Sequence, residues 1–281
     1  MTVTRFAPSP NGPLHLGHAF SALAAHDAAR GKDGRFLVRI EDIDGARSRS
    51  EFADMALADL AWLGLSADAI VRQSDRLDDH RAALEMLRSR NLLYPCVCTR
   101  SEIVHSATRI GPDGPVYSGT CRGTDVDMSR PVAWRLDMAA AMAEAGPLDW
   151  HDISCGRISA RPEAFGDVVL DRKDAPGSYH LAVVLDDARD EISLVTRGLD
   201  LFHATDVHRL LQSLLGLPVP VYAHHALVVE DDGRKLAKRR GSPALADLRE
   251  AGGDGPALAD ALRAGDLPDG LSLSYNLPEK P

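Results

Sequence analysis

The stretch Arg5-Phe6-Ala7-Pro8-Ser9-Pro10-Asn11-Gly12-Pro13-Leu14-His15-Leu16-Gly17-His18 decides how the chain is read. It opens as a short strand, turns through a cluster of Pro, Asn and Gly, and enters an Ala-rich segment over residues 19–30 that reads as helix. A strand turning into a helix predicts unpaired backbone N–H groups at the positive end of the helix, a physical site for phosphate. His15 and His18, three apart around Gly17, fall on one face of the first helical turn. Gly17 lets a bulky planar ligand approach the backbone. These features predict a nucleotide site whose two imidazoles steady the charge of a reacting phosphate. The plainer alternative is two surface histidines beside a tight turn.

Outward from that stretch, residues 34–41 read as a buried strand, Phe36, Val38 and Ile40 alternating with Leu37 and Arg39. Ser50 reads as the N-cap of a helix over 51–63, with Phe52, Met55, Ala56, Leu60 and Leu63 near helical spacing and Gly64 ending it. A second helix is expected over 78–89, with Leu84 and Leu87 inward. Strand, helix, strand and helix in this order predict an α/β fold, a parallel, doubly wound, Rossmann-type nucleotide-binding sheet.

From residue 94 to about 174 the pattern becomes turn-rich, punctuated by Gly111-Pro112-Asp113-Gly114-Pro115, with strands expected at 132–138 and 168–172. Parallel-fold character returns at 180–187. A strand over 192–197 and a helix over 205–215, turning Leu210, Leu211, Leu214 and Leu215 inward, follow. Glu230-Asp231-Asp232-Gly233 reads as a hairpin tip, residues 243–263 as mainly helical, and the last stretch as polar. The expected division is a first half of the catalytic domain over 1–93, an insertion over 94–174, a second half over 175–240 and a short helical segment over 241–281.

A chain of 281 residues is long enough for a sizeable core in one large or two smaller domains. Its apolar and charged fractions are those of an ordinary soluble globular protein. With no apolar run of spanning length and no basic-then-apolar leader, the expected location is cytoplasmic, with no membrane partner. The net charge of −9 argues against indiscriminate nucleic-acid binding by the whole surface, but leaves room for one basic face. The expected state is a monomer. The four cysteines, without a leader, read as metal ligands or inert thiols rather than disulfides. Cys96-Val97-Cys98 with Cys121 beyond a loop is a zinc pattern lacking one tetrahedral ligand, for which the sequence offers Tyr117 or Cys155.

The opening stretch, followed by Leu37-Val38-Arg39-Ile40-Glu41-Asp42-Ile43-Asp44, resembles the start of a class I glutamyl-tRNA synthetase. The likeness runs from about residue 4 to about 245. It implies a class I fold with a small zinc-bearing insertion of the acceptor-binding kind. It also implies ATP and glutamate as substrates, with ATP bound by His15, Gly17, His18, Lys235 and Lys238. Lys235-Leu236-Ala237-Lys238-Arg239 matches the mobile Lys-x-Ser-Lys loop that closes over triphosphate, where ammonium groups act as adaptable point charges. Ala237 departs from that pattern by losing a hydroxyl. Without the resemblance, the lysines read as a solvated basic run.

The resemblance further implies that Arg5 and Arg197 take the carboxylates of glutamate, a task suited to a planar bidentate fork. Phe6, Ala7, Pro8 and Ser9 belong to the same pocket, Glu41 faces the ammonium, and Tyr179 supplies a phenol. In the short relatives Tyr-x-x-x-Cys completes the metal site, which makes the zinc ligands Cys96, Cys98, Tyr117 and Cys121. A full glutamyl-tRNA synthetase continues into a helical anticodon-reading part, whereas 41 residues follow Arg240 here. That shortened pattern resembles the glutamyl-Q tRNA(Asp) synthetases, which pass activated glutamate to queuosine in the anticodon of tRNA(Asp). It implies a catalytic core without an anticodon-binding domain. His15, His18 and Lys238 would stabilise the reacting phosphate, with magnesium accompanying ATP. The rival readings are a truncated synthetase charging tRNA(Glu), a general nucleotidyltransferase and a catalytically silent RNA-binding relative.

Overall fold

Val3–Phe6, Arg35–Ile40 and Ala69–Arg72 pair in parallel with Arg35–Ile40 in the middle, and Leu194–Gly198 pairs in parallel with Val221–His225. These strands come from a computed structural model that describes residues 1–31, 33–234, 236 and 243–277. Two stitches join the groups of strands. Val3 N–H donates to Ser193 Oγ at 2.9 Å, and Ser193 N–H donates to the Val3 carbonyl at 3.1 Å. The chain therefore leaves Val3–Phe6 toward Arg35–Ile40 on one side and comes back as Leu194–Gly198 on the other. Such a reversal is the switch point where open parallel sheets bind ligands, outside the carboxyl ends of the strands.

All these strands lie in the first of two compact units, built from Met1–Ser74, Ile192–Phe202 and the described residues from Pro220 onward. Helix Leu16–Arg30 sits close on the sheet because Ala19, Ala22 and Ala29 are fully buried and carry little bulk. Phe36, Val38 and Ile40 meet Leu23, Ala56 and Leu60 in the core. Truncating a residue as fully buried as Leu60 costs about 2–5 kcal/mol. Gly34, just before the second strand, has no room for a side chain, since a Cβ there would stand 2.1 Å from the Thr2 carbonyl.

The second unit comprises Asp75–Glu191 and His203–Val219. Its antiparallel sheet has Ala133–Leu136 between Leu93–Cys96 and Val169–Asp171. A separate hairpin pairs Asp149–Asp152 with Gly156–Ser159. Helices Leu77–Ser89, Tyr179–Arg189 and Ala204–Leu215 pack on one another. Buried Asp167 holds the turn-rich block together, accepting from the Tyr94 hydroxyl, the Arg122 guanidinium and the Met138 N–H.

Several sequence expectations change against these elements. Leu77–Ser89 and Tyr179–Arg189 bury their apolar faces within the second unit, at the two ends of its stretch Asp75–Glu191. Residues 180–187 are helix; a continuous Leu-Ala-Val-Val-Leu run suits a buried helix as well as a strand. Met138, expected in a strand, opens the helix Met138–Ala145, capped by the Asp137 carboxylate on Ala140 N–H. Ser50 is the first helical residue, with Arg49 at the cap.

The chain does turn at 230–233, where Gly233 has φ +76°. The ladder partner of Leu227–Glu230, however, is Leu271–Ser274 from the stretch expected to be merely polar. The expected helical region over 243–263 is two helices, Leu245–Glu250 and Gly255–Ala264. Among the described residues no helix is long and apolar enough to cross a membrane.

Candidate functional site

In the first unit, candidate residues collect at the carboxyl ends of the parallel strands. Arg5 lies on Val3–Phe6 and Arg197 on Leu194–Gly198, the two strands flanking the switch point. Both arginines are about 95% buried. Arg5 Nη1 donates to the Thr196 carbonyl at 3.1 Å, which brings the two positions together. Arg197 Nε donates to His224 Nε2 at 3.1 Å, and its guanidinium lies 5.2 Å from the Tyr222 ring centroid. A guanidinium cannot shed its charge, so burying two of them at one end of a sheet presets the site for an anion.

Phe6 places its side chain in the core. Ala7 is half-buried and Pro8 buried, and Pro8 accepts from Glu41 N–H at 3.0 Å, tying the loop to the end of the second strand. Ser9 is exposed. Glu41 is nearly buried, and its Oε1 lies 3.4 Å from Nη2 of Arg39, which is fully buried. A carboxylate paired with a buried guanidinium holds its direction.

His15 is the N-cap of helix Leu16–Arg30, and its Nδ1 accepts from Gly17 N–H at 3.1 Å. His18 Nδ1 accepts from His15 N–H at 3.1 Å, and the two rings lie 3.8 Å apart. The imidazoles thus take up helix-end donors that the sequence left unpaired. An Nδ1 that accepts carries no proton, so both neutral rings hold their N–H on Nε2. Gly17 serves this cap as well, since a Cβ there would stand 3.1 Å from His15 Cε1. Lys235 and Lys238, with Ala237, lie outside the described residues.

Tyr179 and the cysteines belong to the second unit. Tyr179 opens the helix capped by Ser178 and is 38% exposed, its ring 5.5 Å from that of His208. The sulfurs of Cys96, Cys98 and Cys121 all lie within 4.8 Å of one another. The Tyr117 hydroxyl is 3.4 Å from Cys96 Sγ and 3.6 Å from Cys98 Sγ, and it accepts from Cys121 N–H at 2.8 Å. Cys155 is exposed in the hairpin turn, with its N–H on Asp152 Oδ1.

Burial pushes the Cys98 thiol up to about 11 and raises the Tyr117 phenol. Burial also opposes ionisation of Cys121, yet hydrogen bonds from Tyr117 and the Val97 backbone bring it down to about 7. A tetrahedral zinc with Zn–S of about 2.3 Å holds its sulfurs about 3.8 Å apart. The Cys98–Cys121 separation of 3.5 Å is close to that. Three sulfurs and one phenol oxygen in this arrangement fit a structural zinc ion.

Sequence reading overlooked three supports of the site. Arg39 was read only as an alternating strand residue, yet it pairs with Glu41. Thr196 and His224 are the hydrogen-bond partners of the two arginines. A buried arginine two residues before a strand-end carboxylate, and a histidine facing Arg197 across a parallel ladder, become visible only once register is known.

Comparison with known proteins accords with this geometry. The family described as tRNA synthetases class I (E and Q), catalytic domain, matches residues 1–263. A Rhodobacter capsulatus protein named glutamyl-Q tRNA(Asp) synthetase is 50% identical over 270 residues, covering 89% of this chain and 95% of its own length. The Aquifex aeolicus glutamate–tRNA ligase is 36% identical over 258 residues, and there the chain spans 54% of the relative. A crystal structure of a glutamate tRNA ligase from Elizabethkingia meningosepticum superposes with a TM-score of 0.70 at 27% identity, covering 86% of this chain and 54% of that one. The chain belongs to the catalytic-domain family of the class I tRNA synthetases for E and Q.

Proposed function

We propose that the chain activates glutamate with ATP and transfers it to the queuosine base in the anticodon of tRNA(Asp). The observation that carries the reading is the pair of buried guanidiniums, Arg5 and Arg197, on either side of the switch point. Glutamate brings two carboxylates, and two fixed forks at one sheet end suit them. Relatives bearing the glutamyl-Q name are 39–50% identical to this chain, whereas two glutamate–tRNA ligases are 36–37% identical. That contrast favours queuosine over tRNA(Glu) as the acceptor.

In the first step a carboxylate oxygen of glutamate attacks the α-phosphorus of ATP. The new P–O bond forms as the bond to the β-phosphate breaks, giving glutamyl-adenylate and pyrophosphate. Arg5, Arg197 and Ser9 orient glutamate, and Glu41, steadied by Arg39, faces its ammonium. His15 and His18, each carrying its proton on Nε2, donate to the phosphate oxygens as charge builds up. Lys235 and Lys238 act on the triphosphate, which enters as its magnesium complex. In the second step a hydroxyl of the cyclopentenediol attacks the acyl carbon, AMP leaves and the hydroxyl proton passes to solvent. Holding the reactive adenylate beside its acceptor suffices for this transfer. Zinc on Cys96, Cys98, Tyr117 and Cys121 staples a block with little core of its own and takes no part in the chemistry.

The test is glutamate-dependent ATP–pyrophosphate exchange without tRNA, followed by transfer of labelled glutamate to tRNA(Asp) with and without queuosine. Exchange alone, with label entering only the queuosine-containing tRNA, is the expected result. Arg5→Ala and His18→Ala should abolish exchange, and Tyr179→Phe should raise the KM for glutamate. Labelling of tRNA(Glu) at its 3′ end would establish the truncated-synthetase reading instead.

A further inference from the structure

Arg135 is a buried cation of the second unit that no part of the proposed chemistry uses. It lies on the strand Ala133–Leu136 and is 7% exposed. In the antiparallel ladder with Leu93–Cys96 it stands opposite Tyr94, while Ala133 stands opposite Cys96. Residues two apart on a strand share a face, so Arg135 projects from the same side of the sheet as Cys96. On that side Tyr94, Cys96, Tyr117, Cys121 and Val126 form one buried cluster. The Arg135 guanidinium lies over the Tyr117 ring, its central carbon 3.9 Å from the ring centroid. Arg135 Nη1 donates to the Asp167 carbonyl at 2.7 Å. The buried Nε has no hydrogen-bond partner among the described residues. A buried donor without an acceptor costs stability, so a residue serving packing alone would be apolar here.

We propose that Arg135 is a positioning residue for the metal site: anchored on the Asp167 carbonyl, it holds the Tyr117 ring so that the phenol oxygen completes the coordination of zinc by Cys96, Cys98 and Cys121. This rests on the proposed zinc site. A tyrosine carries its oxygen at the far end of a rigid ring, so a small turn about χ1 or χ2 swings that oxygen well out of place. The hydroxyl end is steadied by Cys121 N–H, which donates to it at 2.8 Å. One hydrogen bond at the tip leaves the tilt of the ring open. A guanidinium over the face, attracted by the ring quadrupole and tied to the backbone at its other end, closes that freedom. Arg135 thus does for a phenol ligand what a hydrogen-bonded carboxylate does for a histidine ligand, setting its orientation from outside the coordination sphere.

Zinc affinity, read by competition with a chromogenic chelator, tests this in a cycle combining Arg135→Met with Tyr117→Phe. Arg135→Met alone should weaken zinc about 10- to 100-fold, the range for losing an orienting partner. In the Tyr117→Phe background no phenol oxygen is left to aim, and the same substitution should change affinity by less than about threefold. With cobalt(II) in place of zinc, Arg135→Met should move the visible ligand-field bands toward those of Tyr117→Phe. The thiolate-to-cobalt charge-transfer bands from the three cysteines should persist. A role confined to bracing the Asp167 loop predicts an equal loss of affinity in both backgrounds, and that result would overturn the proposal. So would an unchanged affinity in Arg135→Met, or a Tyr117→Phe protein that holds zinc as tightly as the parent. If Arg135→Met fails to fold, Arg135→Lys, which keeps the charge without the planar fork, takes its place in the cycle. Zinc weakened by about tenfold only where Tyr117 is present supports the proposal, and any equal change in both backgrounds refutes it. A parent protein that takes up no zinc removes the metal site, and this inference with it. A zinc-binding parent with indifferent variants removes the inference alone.

Discussion

Replacing Asp59 with Asn should stabilise the protein, more at pH 8 than at pH 5. Asp59 lies on helix Ser50–Trp62 with its side chain fully buried, and among the described residues its ion-pair partner is Arg249 Nη1 at 3.4 Å, on helix Leu245–Glu250. Neither carboxylate oxygen has a hydrogen bond among the described residues. Burial therefore raises its pKa from 3.8 to about 6, against the pull of Arg249 and with some help from Asp247 and Glu250. A group whose folded value is raised binds its proton more tightly when folded. Stability is thus greatest below the unfolded value and is lost as pH climbs from about 4 to about 6. At pH 8 the folded carboxylate costs about 3 kcal/mol, and at pH 5 about 1.6 kcal/mol, relative to a neutral side chain. Asn keeps the shape and removes the charge, while Arg249, about a quarter exposed, regains water. Urea denaturation of D59N and the parent should show a gain of about 2–3 kcal/mol at pH 8, shrinking by about half at pH 5. A D59N protein less stable than its parent at pH 8 would show that the ion pair, rather than desolvation, sets the balance. A gain independent of pH would refute the titration argument.

Other outcomes can be checked with simple measurements. Elemental analysis should find about one zinc per chain, and chelation should lower the unfolding temperature. Tyr117→Phe should retain metal but lose it to weaker chelators, whereas Cys155→Ser should change neither property; an equal response to both substitutions would remove Tyr117 from the site. Thiol titration of the metal-loaded protein should find Cys155 reactive first, because it alone of the four is exposed. Gly17→Ala should displace the His15 ring from its cap, raising the KM for ATP with a stability loss near 1 kcal/mol. Gly198→Ala would set a Cβ 2.6 Å from both Asp200 Oδ1 and Leu227 Cδ2, and thermal melting should register a loss of about 1–3 kcal/mol.

Much of the first unit was legible because its information is local. Alternation in Phe36, Val38 and Ile40 marks a strand by itself, and the turn before His15 is written in Pro and Gly. The second unit was harder, since its elements are defined by partners far along the chain. The Leu-Ala-Val-Val-Leu run after His180 carries no period of its own, and only packing against Ala204–Leu215 makes it helical. Leu271–Ser274 looks polar because two of its four residues are serines, and it becomes a strand by pairing with Leu227–Glu230 some forty residues earlier. The same limit applies to the site. Arg5, Glu41 and Arg197 could be nominated from residue type and resemblance, whereas Thr196, Arg39 and His224 could not.

Those three supports bear on the tasks proposed for the nominated residues. A carboxylate or guanidinium near a strand end is ordinarily a solvated surface charge, free to swing and worth little to a ligand. Here Glu41 is held by a fully buried Arg39, Arg5 by the Thr196 carbonyl and Arg197 by His224. Each contact is made before any substrate arrives, so binding need not meet the cost of ordering these side chains. The two histidines follow the same economy: by capping the helix with Nδ1 they fix the proton on Nε2 and the direction of the ring. An arrangement serving only to fold the chain would gain more from apolar residues at these buried positions. Charges retained and braced at the carboxyl ends of adjacent strands are what a preorganised site for an anionic substrate requires.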